Sequence, residues 1–122
     1  MKTLRLVLLA LLLAGGAQAA DRTFTGSASA PRKGDEPWHY FLVLHDNTHA
    51  FFRTIRTARS SMIETGTWSI NESGHIALQF LDRSGRPRGE PLVWKLVDGV
   101  LTPVSWDKAE WGDNRPPTLR RG

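Results

Sequence analysis

The sequence predicts an all-β chain: a small antiparallel up-and-down barrel, or a half-barrel meander, of about six or seven strands behind a cleaved signal peptide. Three observations carry this. Apolar residues recur with a period of two through most of residues 22–106, the spacing of a pleated strand with one face turned inward. Compact turns rich in Asp, Asn and Gly separate these runs, so each connection can join neighbours. After residue 20, no stretch sustains the 3.6-residue period of a helix.

The elements follow in order. Met1 to Arg5 is a short basic start, Leu6 to Ala14 is an unbroken apolar run, and Ala17-Gln18-Ala19 supplies small residues before Ala20. This is the layout of a secretory signal spanning residues 1–20, and the run is shorter than the roughly 20 residues a membrane span needs. Residues 22–26 form a first short strand, and Ser27 to Pro37 a loop. From Trp38, one face carries Trp38, Tyr40, Leu42 and Leu44 and the other His39, Phe41, Val43 and His45. Residues 45–49 turn the chain, and Ala50 to Ile55 return it. Arg56 to Ser61 reads as a loop or a frayed strand end.

Met62 to Ile70 is the next strand, with Met62, Glu64, Gly66, Trp68 and Ile70 on one face. Gly66 predicts a bulge or a sharp bend. Asn71-Glu72-Ser73-Gly74 is a turn, and His75 to Leu81 alternates with Ile76, Leu78 and Phe80 inward. Asp82 to Pro91 is a long exposed connection. Leu92 to Val97 and Val100 to Trp106 flank Asp98-Gly99, whose dipeptide predicts a type I′ hairpin turn. Residues 106–111 allow one helical turn. The expected organisation is a signal over 1–20, one barrel domain over 21–111, and a loose tail over 112–122. The expected core is Trp38, Tyr40, Leu42, Leu44, Met62, Trp68, Ile70, Ile76, Leu78, Phe80, Leu92, Trp94, Leu96 and Val104.

Composition narrows function. The chain has 122 residues, five of its aromatics are Trp, and it has no Cys. Thiol nucleophiles, CxxC redox pairs, cysteine zinc sites and lipobox anchoring are therefore excluded. With residues 1–20 removed, 14 Lys+Arg face 12 Asp+Glu, a net of +2. That balance argues against a nucleic-acid surface, despite Arg clusters at 53, 56 and 59, at 83, 86 and 88, and at 115, 120 and 121.

Two constellations are candidates for chemistry. His45-Asp46-Asn47-Thr48-His49 places two imidazoles beside one turn. His39 or His75 could complete a copper or zinc site; the plainer reading is a set of solvated turn residues. Glu64 shares its strand face with Met62, Trp68 and Ile70. Facing inward, it would pair with Arg53 or Arg56 and anchor a ligand at the barrel mouth. A bulge at Gly66 would instead turn it out to solvent, and the glycine favours that outcome. Trp38, Tyr40, Glu64 and Trp68 are the candidate ligand-binding residues. No G-x-S-x-G elbow supports a hydrolase.

Three segments carry a resemblance. They are Leu42-Val43-Leu44-His45-Asp46-Asn47-Thr48, Glu64-Thr65-Gly66-Thr67-Trp68-Ser69-Ile70, and the hairpin from Trp94 to Leu101. Their order resembles the N-terminal domain of the NlpE family of envelope proteins and, more loosely, META/HslJ-like domains. The resemblance implies a small lipocalin-like barrel in the envelope and a role in envelope stress or metal homeostasis. Without the family's cysteines, lipid anchoring and thiol chemistry do not carry over. The resulting expectation is a non-enzymatic, monomeric periplasmic or secreted binding protein. It would have no transmembrane segment and no required cofactor, and its partner would be an envelope protein or a small apolar ligand. A His-based copper or zinc protein is the alternative.

Overall fold

The computed structural model describes residues 21–30, 33–57, 60–112 and 115–122; the signal segment lies outside them. Eight antiparallel strands close a barrel in sequence order, one more than the upper expectation. They are β1 (Arg22–Ala28), β2 (Trp38–Leu44), β3 (His49–Thr57), β4 (Ser60–Ile70), β5 (Ile76–Phe80), β6 (Leu92–Val97), β7 (Val100–Ser105) and β8 (Leu119–Arg121). A single helical turn, α1 (Lys108–Trp111), precedes β8. No helix among the described residues is long and apolar enough to cross a membrane.

The two ends of the barrel differ. At one end, tight turns join β2 to β3, β4 to β5 and β6 to β7. Asp98 and Gly99 both take positive φ, 51° and 76°, as the type I′ reading requires. Residues 71–75 form another recurrent turn: Gly74 N–H donates to the Asn71 carbonyl (2.9 Å), and Asn71 Oδ1 accepts from Ser73 and His75 N–H (both 3.0 Å). Residues 82–86 repeat it, with Gly85 donating to the Asp82 carbonyl at 3.0 Å. Residues 45–49 repeat it once more, but there Thr48 holds the left-handed position at φ 70°. The long connections, including α1, gather at the other end.

The interior is filled by Phe24, Tyr40, Leu42, Leu44, Ala50, Phe52, Ile76, Leu78, Phe80, Leu92, Trp94, Leu101 and Leu119, all buried. Burying each large apolar side chain contributes roughly 1.5–3 kcal/mol, and no disulfide assists. Phe52 sits at the centre. Its ring stacks on Tyr40 at 5.9 Å and meets Phe80, Trp94 and Trp111 at 5.9, 6.2 and 6.4 Å.

Several core expectations are corrected. Met62, Leu96 and Val104 are 41%, 36% and 46% exposed. The β6–β7 register slips between Val93 and Trp94, which makes Val104 the extra residue and gives the inward positions to Leu101 and Pro103. Of the expected loose tail over 112–122, residues 115–122 instead pack onto the barrel and close it. Pro116 and Pro117 are buried, Trp94 Nε1 donates to the Pro117 carbonyl at 3.2 Å, and β8 pairs with both β7 and β1. Of the 56–61 stretch, residues 56–57 end β3 and residues 60–61 begin β4, with the ladder irregular between Ile55 and Thr57; residues 58 and 59 lie outside the described ones.

No bulge occurs at Gly66. The β3–β4 ladder is regular through Ala50–Gly66, Phe51–Thr65 and Phe52–Glu64. Gly66 serves a close approach instead: a Cβ there would collide with the Gln79 carbonyl oxygen. Glu64 therefore shares the inward face of Phe52.

Candidate functional site

The wide end of the barrel opens into a cavity of about 520 Å³. Parity along the strands sets its wall. Ala28, Trp38 and Tyr40 continue the inward rows of β1 and β2, Thr54 the row through Phe52 on β3, and Glu64 and Met62 that of β4, while Arg56, the extra residue at the β3–β4 irregularity, reaches the mouth over Trp38. Trp111 of α1 covers one side and touches Phe52 below. The lower barrel is packed with side chains, so the cavity is a cup at the mouth and not a channel. A second hollow of about 550 Å³ lies along Thr25, Ser27, His39 and Phe41 and is more open to solvent. Among the described residues, none that lines it forms an ion pair.

Charge in the cup is organised around Arg88. The turn at residues 82–85 sends the chain back so that Arg88 N–H donates to the Phe80 carbonyl at 2.9 Å. Its guanidinium lies over the Phe80 ring, 5.5 Å from the centroid. Nη2 pairs with Glu64 Oε2. Nε lies 3.2 Å from Glu110 Oε1, within ion-pair distance but without the angle of a hydrogen bond. Arg88 thus ties β4 to α1. Asp107 makes a second tie: its carboxylate accepts from Glu90 N–H and Ala109 N–H, both at 2.9 Å. Those bonds, led by the one from Glu90, hold the Asp107 carboxyl below its ordinary pKa.

Arg56 is placed differently. Its guanidinium lies over the Trp38 ring, 4.6 Å from the centroid, and Nη2 donates to Met62 Sδ at 2.9 Å. Burial raises the pKa of Tyr40, and the nearby Arg56 charge opposes that shift, so the phenol is protonated at neutral pH and available as a donor.

The structure brings Trp38, Tyr40 and Glu64 of the expected ligand-binding set into one cavity. Trp68 is not with them. It lies at the tight-turn end, where its Nε1 donates to the His45 carbonyl at 2.8 Å. Glu64 points inward but pairs with Arg88; Arg53, in register with Phe41 and Ile63, faces outward. Sequence reasoning missed Arg88, Glu110, Trp111 and Arg115 among the cavity residues. An aromatic in the polar 106–111 stretch was the one signal for Trp111.

The imidazoles are not gathered as a metal site. Among the described residues, no three His, Asp or Glu side chains form a metal-holding group. His39 lies at the wide-end start of β2, while His45 follows its other end, roughly 20 Å away at 3.3 Å per residue. His45 and His49 flank the same turn, but His45 Nδ1 pairs with Asp21 at 2.8 Å. His75 lies in the β4–β5 connection, its N–H given to Asn71. No family model, curated protein or solved structure matches this chain.

Proposed function

We propose that this chain is a non-enzymatic binding module of the bacterial envelope that holds a small molecule in the wide end of its barrel. The cup of about 520 Å³ carries the reading. Its volume falls within the roughly 300–1,000 Å³ of small-molecule sites, and aromatic walls with a few fixed polar groups are the usual lining of such sites. The amino-terminal signal pattern supports export. The resemblance to envelope barrels agrees with it.

A neutral apolar fluorophore, N-phenyl-1-naphthylamine, tests the cup. It should bind the folded protein and shift Trp emission. Ala28→Trp, which fills the mouth, should abolish binding while leaving the circular dichroism spectrum intact. Absence of binding to the wild-type protein, or undiminished binding to a folded Ala28→Trp variant, overturns the proposal.

A further inference from the structure

Resting on the reading of the cup as a ligand site, we propose that its ligand is a small organic anion whose acidic group is held by Arg56. Glu64 and Glu110 line the cavity, and both are engaged by Arg88. Among the described residues, no carboxylate lies within ion-pair distance of Arg56. A guanidinium has five N–H donors. Among the described residues, the one contact Arg56 makes through them is to a thioether sulfur, a weak acceptor.

Placement favours an anion further. The Trp38 ring beneath the guanidinium fixes its plane, so less side-chain freedom is lost when two N–H groups meet two oxygens. The Tyr40 hydroxyl and Thr54 line the same wall and can donate to the same group. Trp38, Trp111 and Met62 offer apolar surface to the remainder of the molecule. A cationic ligand would face an unpaired Arg56 and find both carboxylates already occupied.

Two probes of nearly the same shape separate the terms. 1-Anilinonaphthalene-8-sulfonate carries a sulfonate; N-phenyl-1-naphthylamine lacks it. Charge-assisted hydrogen bonds are roughly twice as strong as neutral ones, so Arg56→Gln should weaken the sulfonate probe on the order of tenfold or more and leave the neutral probe within about twofold. Arg53→Gln, on the outer face of the same strand, should change neither. With the wild-type protein alone, added salt should weaken only the sulfonate probe.

Loss of sulfonate binding specific to Arg56→Gln supports the inference. Neutral-probe binding with no effect of Arg56→Gln on the sulfonate overturns the proposal that Arg56 holds the acidic group, leaves the cup as a ligand site, and turns attention to Arg115, which lines the same cavity and donates to the Pro103 carbonyl at 3.4 Å. An equal effect of Arg53→Gln places the sulfonate on the outer wall and also overturns it. Binding of neither probe overturns the cup and the anion together. If Arg56→Gln does not fold, sulfonate binding that is indifferent to salt in the wild-type protein overturns the anion without it.

Discussion

Replacing Arg88 with Met removes the cation that serves both Glu64 and Glu110. The Glu64 side chain is only 19% exposed, while Arg88 and Glu110 are 38% and 36% exposed. The site therefore lies between the exposed pair, worth about 0–1 kcal/mol, and the buried pair, whose breaking costs about 3–5 kcal/mol. Stranding Glu64 should cost about 2 kcal/mol. At about 4–8 °C per kcal/mol for a domain near this size, Tm falls by about 8–16 °C. Glu64→Gln should cost less, about 1 kcal/mol, because Arg88 keeps Glu110. The double variant leaves no stranded carboxylate at Glu64, so the two changes should couple by at least about 1 kcal/mol. Urea unfolding at neutral pH, followed by Trp fluorescence, measures all four corners of the cycle. Additivity within about 0.5 kcal/mol, the behaviour of independent sites, would refute the placement of Glu64 against Arg88. So would stronger coupling of Glu64 to Arg53.

Three further outcomes follow from the geometry. Phe52→Ala removes the ring that meets four other aromatics and should cost about 3–5 kcal/mol in the same urea assay; a loss under about 1.5 kcal/mol contradicts its central place. Thr48→Gly should raise stability by up to about 1 kcal/mol. A left-handed L-residue costs about 1–2 kcal/mol, partly offset by the greater freedom of glycine in the unfolded chain, and Gly74 and Gly85 already hold the equivalent position in the sister turns; a drop in Tm contradicts this. Tyr40 is the one tyrosine of the chain, and burial raises its folded pKa. Its contribution to stability is then complete below the unfolded value of about 10 and is lost as pH rises through the folded value. Tyrosinate absorbance should develop above pH of about 10 in the folded protein, and Tyr40→Phe should remove that part of the alkaline destabilisation.

The alternation of Trp38, Tyr40, Leu42 and Leu44, of Ile76, Leu78 and Phe80, and the Asp98-Gly99 turn made most of the barrel legible from local pattern. Leu119 was hidden because a three-residue strand after two prolines is too short to display any period. Glu64 was ambiguous because a strand glycine signals either a bulge or a close backbone approach, and only the Gln79 carbonyl across β5 decides between them. Arg88 had no signal of its own. It sits in a polar connection, and its role arises because the 82–86 turn returns it beneath α1. The His spacing could not decide between a metal site and a solvated turn, because nearness in sequence is not convergence when His39 and His45 stand at opposite ends of β2 and His45 turns to Asp21.

Closure by β8 has a consequence for how the molecule is made. Leu119–Arg121 fills the seam between the first and seventh strands, and Phe24 meets Arg121 across nearly the whole chain. Such distant pairing pays its loop-closure entropy late. A chain emerging N-terminus first from a ribosome cannot zip its wall shut until this segment has emerged. Until then β1 and β7 present open edges, so the nascent form is the one most in need of a chaperone.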